Sequence, residues 1–148
     1  MKIAIVHDYL NQRGGAERVV ECLHEIFPAA PIYTSFYVPG DTYESFKSMD
    51  IKTSFMQNMP FIRRLYRAYF FLYPFAFGGF NLGGFDIILS SSSAFAKGVK
   101  KKSAHHICYC YNPMRFAWNY DVYMGKGFFQ AVIKIAITPF LIWLRKWD

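Results

Sequence analysis

Ile3-Ala4-Ile5-Val6, followed after a short polar stretch by Arg13-Gly14-Gly15-Ala16-Glu17-Arg18, is the stretch on which the fold of this chain turns. The apolar run reads as a strand. Behind the glycine pair, apolar residues recur at Ala16, Val19, Val20, Leu23, Ile26 and Phe27, the 3/4 spacing of one helix face. Pro28 disfavours helical geometry at Phe27 and ends the helix there. Pro31 to Val38 then reads as a second strand. Strand, glycine turn, helix and strand make a β-α-β opening, and such units imply a parallel sheet flanked by helices.

The turn itself carries the first functional expectation. Glycines let a backbone approach a ligand closely, and unpaired amides at a helix N-terminus point at negative charge. A phosphorylated small molecule, a nucleotide derivative, fits such a turn. The pair is not the GxGxxG dinucleotide fingerprint, nor a P-loop, which needs a Lys-Ser/Thr pair after the last glycine. A tight turn that uses glycine only for backbone freedom is the alternative.

Composition sets the outer limits. The 148 residues suffice for one domain with a real core, spanning 1–148. Seventeen Lys and Arg against ten Asp and Glu give a net charge of +7, and 20% of the residues are aromatic. A basic, aromatic chain suits nucleic acid, an anionic membrane surface or a phosphorylated substrate. No RNA- or DNA-binding motif is present, which places nucleic acid last. Cys22, Cys108 and Cys110 make no disulfide framework; they are expected to be buried structural thiols, not metal ligands, in a reducing compartment. No basic-then-apolar leader precedes the first strand, so no signal peptide and a cytoplasmic location are expected.

Further along, Gly40 to Ser48 reads as loop or short helix and Ile51 to Met56 as a short strand. In Pro60 to Phe77, Arg63, Arg64 and Arg67 stand beside Tyr69, Phe70 and Phe71. The uncharged run there is shorter than the roughly 20 apolar residues that span a bilayer, and Pro74 interrupts it. Arginines meeting head-group phosphate while aromatic rings enter the interface would make this a membrane-surface segment; a docking face for another domain or subunit is the competing reading. Phe85 to Leu89 is a further strand running into Ser90 to Ser93, where Ser91 is the candidate ligand contact and helix capping the competing role. His106 to Cys110 is the next strand. Phe128 to Trp147 reads as an amphipathic helix kinked at Pro139, packed on the domain or lying on a membrane. Gln130, Lys134 and Pro139 argue against a transmembrane span. The end at Trp147-Asp148, just after an apolar helix, leads to the expectation that the chain is part of a longer protein.

Two segments together resemble the family 4 glycosyltransferases of the GT-B fold. One is Ile5-Val6-His7-Asp8-Tyr9-Leu10 with Gly14-Gly15-Ala16-Glu17-Arg18-Val19; the other is His106-Ile107-Cys108-Tyr109-Cys110-Tyr111-Asn112-Pro113-Met114-Arg115-Phe116-Ala117-Trp118, similar to the family's CYCHTPMRYAWD. Ser90-Ser91-Ser92 after Asp86-Ile87-Ile88 fits the serine-rich turn between them. The resemblance runs over nearly the whole chain and implies a Rossmann-like N-terminal, acceptor-side domain, with the donor-binding C-terminal domain and its paired glutamates absent.

It further implies a retaining transfer from a nucleotide-diphosphate sugar, without a bound metal or cofactor, to a sugar or lipid-linked acceptor in polysaccharide or glycolipid synthesis. Gly14 and Gly15 would approach the donor's diphosphate or sugar, and His7 and Asp8 would lie near the acceptor. The chain departs from the family at Tyr111-Asn112-Pro113, where His-Thr-Pro is common and the histidine lines the active site. Tyr111 and Asn112 can still donate hydrogen bonds there, but a phenol titrating near pH ~10 is a poor general base. Arg115 is the nearby positive charge for a phosphate, or one half of a surface ion pair. The departure also supports a non-catalytic phosphate-binding or scaffold module. A dehydrogenase is disfavoured, since the second strand ends in Pro39-Gly40 and not in an acidic residue.

Overall fold

The computed structural model describes residues 1–119 and 128–148. Five strands, β1 (Ile3–His7), β2 (Ile32–Thr34), β3 (Ile51–Thr53), β4 (Ile87–Ser92) and β5 (His105–Cys110), form one sheet of order β3-β2-β1-β4-β5. Every pairing is parallel. Helices cover both faces, which makes the fold an α/β Rossmann-like arrangement. Helix α1 (Gly15–Ile26) connects β1 to β2. The short helices α2 (Ile62–Leu65) and α3 (Tyr73–Gly78) lie between β3 and β4, and α4 (Arg115–Trp118) and α5 (Phe128–Trp147) follow β5.

The side-chain alternation of β1 explains the layering. Ala4 and Val6 enter one core with Ile88, Tyr73 and Phe77, whereas Ile5 enters the other with Val20, Ile32 and Phe46. Burial of both strand faces is why β1 reads as an unbroken apolar run. The first core also takes Phe95 and Leu144, so α3 and α5 cover one face of the sheet while α1 covers the other.

The β-α-β opening falls where the sequence places it, with α1 ending at Ile26 and Phe27 as its C-cap. Two strands stop short of expectation. The β2 ladder stops at Thr34 because the next residues turn to the chain after β1: Ser35 N–H donates to Asp8 O, and pairing resumes only at a single Leu10–Tyr37 bridge. β3 stops at Thr53, because the Ser54 hydroxyl accepts from Met56 N–H and starts a 3-10 turn at Phe55–Asn58. Ile26, expected on the buried stripe of α1, is exposed, while Glu17 and Glu21 face inward beside Val20. The three cysteines, expected to be buried, are exposed. β5 is the last strand in the described order and is exposed along most of its length, Cys108 and Cys110 included.

Candidate functional site

Strand order reverses direction at β1: β2 and β3 lie on one side, β4 and β5 on the other. Ligands of open parallel sheets bind in the crevice that such a reversal leaves at the carboxyl ends of the strands. Here the reversal puts β1 beside β4, where the register partners His7 and Ser91, both buried, close the edge against each other. Gly14 and Gly15 follow β1 at the same edge, and Tyr111, Asn112 and Arg115 follow β5 there.

Most of these groups bond to one another. His7 is buried, and its Nδ1 lies 2.9 Å from Ser91 O and 3.1 Å from Ser91 Oγ. A carbonyl oxygen can only accept, so Nδ1 carries a proton. The Tyr111 hydroxyl donates to Ala16 O at 3.3 Å and therefore accepts from Ser91 Oγ at 3.0 Å. A directed chain of hydrogen bonds thus runs from β1 through β4 and β5 to the first turn of α1. Burial pushes the Tyr111 phenol above its ordinary range, against the lowering effect of Ser91. Tyr111 is placed to hold α1, and its proton is directed at a carbonyl.

Asp8 is only 2% exposed, and backbone amides surround its carboxylate. Oδ2 accepts from Ser93 N–H at 2.6 Å and Ala94 N–H at 3.0 Å; Oδ1 accepts from Phe95 N–H at 2.7 Å and Ala96 N–H at 2.6 Å. The Ser92 hydroxyl adds a fifth bond at 3.3 Å. Successive amides in a turn form an anion-binding concavity, and the chain fills this one with its own carboxylate. The serine run is equally committed: Ser90 Oγ meets His106 Nε2 at 2.8 Å, Ser91 meets His7 and Tyr111, and Ser92 accepts from Lys97 N–H at 3.3 Å.

The two glycines differ. A side chain at Gly14 would begin 2.5 Å from Glu17 Oε2 and 3.2 Å from Gln12 Nε2, so it would force those side-chain ends to shift. A side chain at Gly15 would meet nothing within 4 Å. Gly15 stands open at the first position of α1, where helix amides lack intrahelical partners.

Glu17, which the reading of the sequence assigned only to the motif, is 1% exposed and sits at the third helical position. Its Oε1 lies 3.8 Å from His7 Nε2. Burial pushes its carboxyl up, but hydrogen bonds from His7, its own amide and Gln12, with the charge of His7, outweigh that and hold it below the ordinary carboxylate value. A carboxylate there favours the positive end of the helix dipole, so α1 is already partly neutralised from within. The signal for this was available: an acidic residue three positions after the N-cap is half of a capping box.

The loop is braced from outside as well. Arg13 Nε donates to Thr42 O at 3.1 Å, and next to it Arg63 reaches Asp41 Oδ1 at 2.6 Å. The basic Arg63-Arg64 helix therefore borders the glycine loop across the 41–42 turn. Phe61, Arg63 and Arg64 line a shallow hollow. Tyr69 and Phe70 are half-buried; the Tyr69 hydroxyl donates to Pro60 O and Phe70 packs edge-on against Phe116 and Phe140. Phe71 and Arg67 are exposed. Beyond β5, Arg115 is exposed, and its Nε donates to Asn112 Oδ1 at 3.1 Å.

Among the described residues no three His, Cys, Asp or Glu side chains converge on a point that a metal ion could take. No protein-family model, no curated protein and no solved structure matches this chain. The fold and crevice define an α/β protein with a Rossmann-like sheet and a glycine loop at its topological switch point.

Proposed function

We propose that this chain is the acceptor-side domain of a retaining glycosyltransferase. In this reading it acts with a donor-binding domain, takes a sugar from a nucleotide-diphosphate sugar, needs no cofactor, and delivers to a lipid-linked acceptor in polysaccharide or glycolipid synthesis. Its place is the cytoplasm, peripheral on the inner face of the membrane. One observation carries the reading: Gly15 is open at the N-terminus of a twelve-residue helix, at the carboxyl edge beside the strand reversal. The buried Glu17 carboxylate repels an anion on its own side, so the diphosphate approaches over Gly15 and takes the amides of Gly15 and Ala16. Arg115 meets its charge from the β5 side. His7, Ser91 and Tyr111 hold α1 in register, and Asp8 holds the serine turn that forms the opposite wall.

The test is a titration of the chain with nucleoside diphosphates at millimolar concentration, read by amide NMR, for the wild type and Gly15→Leu. An added Cβ at Gly15 meets nothing within 4 Å, so a leucine branches from an open position and covers the amides. Amide shifts at residues 14–17 in the wild type, lost in a Gly15→Leu variant of unchanged Tm, are expected. Undiminished binding by Gly15→Leu, or no shift with any nucleoside diphosphate, refutes the proposal. Residues 1–148 alone are expected to show no sugar transfer.

A second reading, a phosphate-binding module without catalysis, is favoured by the commitment of the crevice's own acid and phenol. Asp8 is enclosed by amides and Tyr111 is tied to Ala16 and Ser91. Turnover by the chain joined to a donor-binding domain separates the two.

A further inference from the structure

We infer that α5 and residues 61–75 together form a docking surface for an anionic lipid bilayer. Three observations meet on it. The first is exposure of large apolar side chains that touch one another. Phe75 is 63% exposed and stacks on the exposed Trp143 of α5 at 6.4 Å; Trp143 contacts Phe140 at 5.2 Å, Phe140 contacts Phe70 at 5.4 Å, and Phe70 contacts the exposed Phe71 at 5.9 Å. Phe61, 74% exposed, and Leu65 are further exposed apolar residues, at the start and end of α2. Scattered exposed apolar residues are ordinary, but a contiguous patch of this kind marks an interaction site.

The second observation is the pattern of α5. Leu141 and Leu144 are buried against the core, while Ile135, Pro139, Ile142 and Trp143 recur at helical spacing on the exposed side. A surface helix needs one apolar stripe; α5 carries a second that remains exposed even where Trp143 meets Phe75 and Phe140. No described helix is long and apolar enough to cross a membrane, so the geometry is that of a helix lying in the interface plane.

The third observation is charge, and it selects the occupant. None of the ten acidic residues falls in 51–85 or in 128–147, whereas Lys52, Arg63, Arg64, Arg67, Lys134, Arg145 and Lys146 do. Two acids reach these cations from outside these ranges: Asp41 pairs with Arg63, and Asp50 with Lys52. Aromatic rings with cations of one sign match an anionic lipid surface, where rings enter the boundary and guanidinium groups meet phosphate. The surface deepens the reading above, resting on it only for the lipid-linked acceptor. Because Arg63 and Arg13 flank the 41–42 turn, an acceptor held in the bilayer would lie next to the glycine loop.

The test is sedimentation of the chain with vesicles of phosphatidylcholine alone and with about 30% phosphatidylglycerol, at low and physiological salt. Binding to the anionic vesicles that weakens with salt is expected. The triple variant Arg63→Glu, Arg64→Glu, Arg67→Glu should bind roughly a hundredfold more weakly, three contacts of about fivefold each. Ile142→Ser with Trp143→Ser should lose binding with an unchanged circular dichroism spectrum, since both side chains face outward. Brominated lipid should quench wild-type fluorescence more than that of Trp143→Phe. Absence of binding at low salt, equal binding by the triple variant, quenching independent of Trp143, or a Trp143-dependent dimer without lipid each overturns the inference. None of these readouts involves sugar transfer, so either proposal can fail while the nucleoside diphosphate titration leaves the other standing.

Discussion

Asp8→Asn probes how the crevice is built. The substitution keeps the shape of the side chain and removes its charge and half its accepting capacity. Oδ1 and Oδ2 each accept two backbone N–H groups in the native turn. An amide nitrogen at either position aims its own hydrogens at two donors that cannot turn away, because the site is buried. Two charge-assisted bonds at about 1.5–3 kcal/mol each give an expected loss of about 3–6 kcal/mol. That is a large part of the roughly 5–15 kcal/mol that holds a typical domain together. Urea denaturation at neutral pH measures it, as a lower midpoint with an unchanged slope. Amides 93–96 should also exchange with deuterium faster in the variant, while those of β3 keep their relative protection. A loss below about 1 kcal/mol would mean that the turn does not depend on the carboxylate, and the account of Asp8 as its internal anion would be wrong.

Two further perturbations test the parts around it. Glu17 titrates below its ordinary value of 4.5 when folded, so the unfolded chain takes up the proton first, and its contribution is present above about pH 4.5 and lost as pH falls through the folded value. Glu17→Gln should therefore lower Tm at neutral pH, with the difference shrinking as pH falls below the ordinary carboxylate value; a difference that stays constant on acidification contradicts the buried pairing with His7. At Gly98 an added methyl would overlap the Trp147 ring of α5. Gly98→Ala should cost roughly 1–3 kcal/mol by forcing the helix off the turn, and Trp147→Leu in the same chain should recover part of it; an unchanged Tm for the single variant shows that α5 is not seated there.

Much of the architecture is local and was legible from the chain alone. The apolar run at 3–6, the helix spacing from Ala16 onward and the Pro28 stop are patterns within one element, and each corresponds to an element of the fold. The limit of β2 was less legible, because that strand ends where Ser35 finds a partner in another segment. The site was legible as a set of residues and not as a set of roles. His7, Asp8, Gly14, Ser91 and Tyr111 do share one edge of the sheet. That Asp8 faces amides and not solvent depends on a turn 85 to 88 residues away in sequence.

The same division holds for the exposed aromatics. Composition announced a basic, ring-rich chain, yet that Phe75 and Trp143 share one surface follows only from the packing of α5 beside α3. Sequence by itself determined the β-α-β opening, the parallel sheet and the glycine turn at its edge, because residue spacing within a helix or strand fixes which face each side chain takes. Only the tertiary structure decided which glycine is open, which carboxylates are buried and which rings remain in water. Those outcomes depend on neighbours brought together by the strand order, and no local pattern encodes them.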